Sequence, residues 1–130
     1  MSVARRSGIA AVELAVSAPV LTLMIFGSIQ ACEAIYLRHT AVTAAYEGSL
    51  ELARPDSTTA AVEARIEQVL LLRDAKKASH AIDSGGIDVR NLSPGDPVTI
   101  RVAIPIADNV PFSGFFPLPV SATYTLTCTR

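Results

Sequence analysis

The chain has 130 residues, half of them hydrophobic and 18% charged, with a mean hydropathy of +0.39. An ordinary soluble domain is about 25% charged, so this one is greasy, and 5% aromatic residues do not account for it. Eleven basic against twelve acidic side chains argue against an electrostatic nucleic-acid binder, and the isolated His39 and His80, without a CxxC or HxxxH, exclude a zinc site of ordinary spacing.

The apolar character is concentrated near the N-terminus. Arg5 and Arg6 precede it, and no charged residue stands between Leu14 and Cys32. As a helix those nineteen positions reach roughly 28 Å, against about 30 Å for a bilayer's hydrocarbon core. The stretch, with Leu14, Pro19, Phe26 and Gly27 among its residues, reads as a membrane anchor spanning about 14–32. The basic pair before it sets topology, with the N-terminus cytoplasmic and the rest of the chain outside. Glu13 stands at its inner edge. An acid at bilayer depth costs about 2.5–3.5 kcal/mol or more, so it is a functional candidate by default; the alternative is a carboxylate that snorkels to the cytoplasmic interface.

Helical spacing continues past Cys32 through Ile35, Tyr36, Val42, Ala45, Tyr46 and Leu50. One helix is expected over 9–53, kinked near Pro19, with alanines at 31, 34, 41, 44 and 45 forming a face for close packing. Residues 54–130 are expected to form an extracytoplasmic α+β head. Arg54-Pro55-Asp56-Ser57 is a turn, with Asp56 or Ser57 placed to cap a helix beyond it. That second, amphipathic helix is predicted over Thr58–Ala81, with Val62, Ile66, Val69 and Leu70 as its apolar stripe. Strands are predicted over Ile87–Arg90, Val98–Ile104 and Val120–Cys128. The economical fold is a small three-stranded antiparallel sheet against the second helix and the outer part of the first. Phe112, Phe115 and Phe116 cluster in a Pro/Gly loop as a candidate contact surface. Cys32 and Cys128 permit one disulfide if the last strand reaches the membrane surface; two unpaired thiols are the other outcome.

The run Arg5-Arg6-Ser7-Gly8-Ile9-Ala10-Ala11-Val12-Glu13-Leu14-Ala15, followed by Ala18-Pro19-Val20-Leu21, resembles the N-terminus of TadE-like proteins, minor pseudopilins of the tight-adherence (Flp-type) pilus systems. The stretch from Tyr36 to Gly48 is similar to that family's Tyr-x-Arg…Ala-Ala-Arg-Glu-Gly segment, with Tyr46 where Arg is common and Leu14 where an aromatic usually follows the glutamate. The resemblance covers residues 5–53 well. It implies a non-enzymatic structural subunit in the inner membrane. A prepilin peptidase would cut between Gly8 and Ile9 and remove residues 1–8 as a leader. Ile9 would then carry a new ammonium group, which Glu13 could meet within the chain or in a neighbouring subunit to set assembly register. The implied partners are the lipid bilayer, the peptidase, other pilus or pseudopilin subunits and the assembly platform. No cofactor, small-molecule substrate or nucleic acid is implied.

Two rival readings belong to other classes. Ile29-Gln30-Ala31-Cys32 loosely resembles a lipobox, which would make the chain an envelope lipoprotein held through Cys32. A signal-anchored extracytoplasmic binding domain or enzyme is the other; Asp56, Asp74, Asp83, Asp88, Asp96 and Asp108 show no metal or acid/base spacing for the latter, and no serine sits in a nucleophile motif.

Overall fold

A computed structural model describes residues 2–111 and 121–129, with the backbone alone described at 2–7, 122, 123, 126, 128 and 129. Helix α1 spans Ser2–Leu52 and continues through Pro19. Helix α2 spans Thr59–Leu72, and the strands are β1 (Ser79–Asp83), β2 (Pro97–Pro105) and β3 (Ser121–Thr129). The class is α+β, as the sequence implies.

The turn after α1 closes through Arg54 N–H to Glu51 O and Ser57 N–H to Arg54 O. The cap of α2 is Thr58, not Asp56 or Ser57: its hydroxyl accepts from Ala61 N–H at 3.2 Å, satisfying one of the orphan donors of the first turn. The four apolar residues read as the stripe of α2, Val62, Ile66, Val69 and Leu70, are its buried residues.

The C-terminal end of α2 differs from expectation. The helix stops at Leu72, nine positions short of Ala81. Asp74 takes the left-handed conformation at φ +50°, which allows Asp74 N–H to reach Leu71 O and Ala75 N–H to reach Leu70 O. Those two bonds close a Schellman motif, and Lys77, at φ +52°, turns the chain again into β1. The strand expected over Ile87–Arg90 is instead a 3₁₀ turn at Val89–Asn91, initiated by the Asp88 carboxylate accepting from Arg90 N–H at 2.9 Å. Val89 is fully buried there, and its N–H donates to the Thr59 hydroxyl.

The sheet has the order β1-β2-β3, antiparallel throughout. Ile82, Ile100 and Leu126 stand in one cross-strand row and His80, Val102 and Tyr124 in another. The central strand alternates as predicted, with Val98, Ile100, Val102 and Ile104 fully buried. The sheet packs chiefly on the outer half of α1, and α2 packs on α1 beside it, meeting the sheet mainly at β1. Leu37, Ala41, Ala44, Ala45 and Leu52 of α1 therefore belong to the same core as the strands. Burying each large apolar side chain in that core contributes about 1.5–3 kcal/mol.

Candidate membrane and assembly segment

From Gly8 to Ile25 every residue of α1 is exposed on all sides. The helix is long and apolar enough to cross a membrane, and these eighteen bare positions alone reach about 27 Å. Its hydroxyl groups are satisfied within the helix. Ser17 donates to Glu13 O, Thr22 to Ala18 O at 2.8 Å and Ser28 to Met24 O at 2.8 Å. Each bond returns to the carbonyl one turn earlier, so these polar side chains present little unsatisfied hydrogen-bonding capacity to an apolar surrounding. Pro19 donates nothing to Ala15 O, as its ring nitrogen carries no hydrogen.

From Phe26 onward one side of α1 is covered. Phe26 and Gly27 are half-buried and Gln30 is 2% exposed. The same stripe continues through Ala34, Leu37, Ala41, Ala44 and Gly48 into the core. The bare part of the helix thus ends seven residues nearer the N-terminus than the charge-free stretch Leu14–Cys32. Charge alone finds where a helix could lie in lipid, and it does not reveal where the helix gains a protein neighbour.

Glu13 is exposed on this cylinder beside Val12, Val16, Ser17 and Val20. No cation among the described side chains is paired with it, and the side chains of Arg5 and Arg6 lie outside that set. Gly8 has open space where a side chain would stand, and Ile9 beside it is exposed. At the outer end Cys32 is a free, exposed thiol on the side of α1 turned away from the head. Cys128 lies in β3 opposite Val98, its side chain outside the described residues. Phe112, Phe115 and Phe116 lie outside the described residues. His39 is exposed, and His80, read from the sequence as a helix-end residue, is half-buried in β1.

Residues 8–50 match the family of TadE-like proteins. Over that segment, about a third of its length, the chain is similar to TadE-like proteins. No curated protein and no solved structure matches it. The match associates the chain with the structural subunits of Tad/Flp pilus systems and with other pilus subunits as its neighbours.

The outer part of the TadE-like segment has a packing explanation that the sequence does not reveal. Arg65 of α2 holds one carboxylate oxygen of Glu47 with two nitrogens, Nη2 at 2.7 Å and Nε at 3.2 Å. Gly48, the next residue, brings α1 so close to α2 that an added Cβ would stand 2.8 Å from Ile66 Cγ1. The Glu-Gly pair therefore docks the head onto the helix, and its chemistry is structural. The inner part, around Gly8, Ile9 and Glu13, is exposed and meets none of the described residues of the head.

Proposed function

We propose that this TadE-like protein is a minor pseudopilin of a Tad/Flp pilus or a related secretion apparatus, held in the inner membrane by a single pass of α1. The observation that carries the reading is the bare apolar cylinder Gly8–Ile25, its hydroxyls bonded within the helix, inside the TadE-like match. A surface of that length and composition is stable when lipid or neighbouring helices cover it. Arg5 and Arg6 hold the N-terminus on the cytoplasmic side, and the head lies outside. Leu14 and Pro19 lie within the hydrocarbon, and Phe26 and Gly27 near its outer boundary. A prepilin peptidase cuts between Gly8 and Ile9, where the open backbone of glycine admits the enzyme closely.

The new ammonium group of Ile9 then lies about one turn from Glu13. In a low dielectric the opposite charges attract far more strongly than in water, and an unpaired acid at that depth is costly. Pairing between staggered neighbours sets the register of assembly with the platform and with other pilus or pseudopilin subunits. Intact-mass measurement of the protein from a peptidase-positive strain tests the processing step. The expected species begins at Ile9, and Gly8→Phe retains the full leader. A wild-type species still beginning at Met1 overturns it.

A further inference from the structure

We infer that the free edge of β1, with the groove beside it, receives an extended segment of a partner protein that carries a basic side chain. β1 is an outer strand of the sheet and pairs through Ser79–Asp83 with β2 alone. Among the described residues no backbone group bonds to its other side, and such an edge is a template for a further strand. Between α2 and the start of β1 lies an open groove of about 250 Å³, lined by Glu67, Leu70, Leu71, Ala75, Ala78 and His80. Alternate side chains of a strand added to β1 would project on the same face as His80, toward this groove. Bonds to the edge would supply affinity, and the groove would select a side chain.

Charge decides which side chain. The groove also holds Lys77, whose ammonium is neutralised by Asp108 at 2.6 Å. Glu67 has no ion-pair partner among the described residues, so the groove keeps an uncompensated negative charge. One turn further along α2, Leu71 is 80% exposed, more than any other large apolar side chain among the described residues. A lysine or arginine answers both, its aliphatic stem lying on Leu71 and its charged head reaching Glu67. A bilayer surface or an acidic segment would leave Glu67 unmatched. The site is independent of how α1 meets the membrane, because α2 and β1 belong to the head.

The test follows fluorescence anisotropy as the full chain, in detergent, is added to a short peptide. The probe is Thr-Val-Thr-Lys-Thr-Val-Thr, amidated and capped with a neutral fluorophore, and its analogue has Glu in place of the lysine. The lysine form should bind about fivefold tighter than the glutamate form. Glu67→Gln, at an exposed position, should bring the two within about twofold while leaving the unfolding midpoint unchanged. Methylating the backbone nitrogens of alternate residues blocks one edge of the peptide. One alternate set should lower affinity at least about tenfold and the other should leave it unchanged, since only one edge can meet β1. No saturable binding, equal binding of the two peptides, a preference that survives Glu67→Gln, or equal effects of the two methylated sets overturns the site. Self-association of the chain that Glu67→Gln abolishes, without peptide binding, overturns the choice of a foreign partner.

Discussion

Gly48 and Ile66 touch where α1 and α2 approach most closely: a Cβ on Gly48 would stand 2.8 Å from Ile66 Cγ1 and 2.9 Å from its Cδ1. Ile66 is fully buried, and Ile100 Cδ1 would stand 3.5 Å from the same Cβ, so the isoleucine would have to give way inside a packed core. Two effects oppose each other in Gly48→Ala. Alanine is about 1 kcal/mol the better helix former, and overpacking costs about 1–3 kcal/mol. The balance is a net loss of about 1 kcal/mol, read from denaturant unfolding of the full chain in detergent. Ile66→Val removes one of the two crowding atoms, so a double-mutant cycle should show that Gly48→Ala costs less in that background. Simple additivity would contradict the contact.

The neighbouring ion pair is a weaker determinant. Arg65 and Glu47 have side chains 40% and 28% exposed, so solvent screens their attraction. A double-mutant cycle between Glu47→Gln and Arg65→Met should return a coupling of about 0.3–1 kcal/mol, falling further in high salt. A coupling several times larger would show that the pair is more enclosed than its exposure indicates.

The left-handed residue that ends α2 offers a gain instead of a loss. Asp74 adopts φ +50° with its N–H bonded to Leu71 O, a conformation that glycine adopts without strain. Asp74→Gly should therefore be neutral or raise stability by up to about 1 kcal/mol, visible as a higher unfolding midpoint. A clear loss would mean that the aspartate side chain contributes more than its backbone costs.

For the assembly role, Glu13→Gln is the informative change because it keeps shape and hydrogen bonding and removes only charge. In cells lacking the native copy, the variant should reach the membrane and lose its leader normally, yet surface fibres counted by electron microscopy should fall at least tenfold. Fibres in normal number would remove Glu13 from assembly.

Much of this fold is legible in the residue pattern, and the exceptions share a cause. The long helix, the stripe of α2, the alternation of β2 and the extent of β3 come from apolar periods of 3.6 and 2. The early end of α2 does not. Its stop uses Asp74 and Lys77 in left-handed conformations, where glycine would have been visible in the sequence, and Ala75, Lys76 and Ala78 suit a helix as well as a turn. Reading residues 73–81 as helical hides β1, a five-residue edge strand made of Ser, His, Ala, Ile and Asp. Val89 looks like part of an alternating strand, but its burial depends on a tertiary hydrogen bond to Thr59, which no local pattern encodes. At the candidate site, Gly8, Ile9 and Glu13 stand out because they break local rules. Glu47 and Gly48 reveal their purpose only when α2 is seated against them.

Because α1 enters the core at Leu37 and stays in it to Leu52, the head has no tether of its own. A pull on the inner end of the rod arrives undiluted among the interior side chains, and a rotation of the rod turns the whole outer body with it. Helix and head would therefore move as one stiff piece.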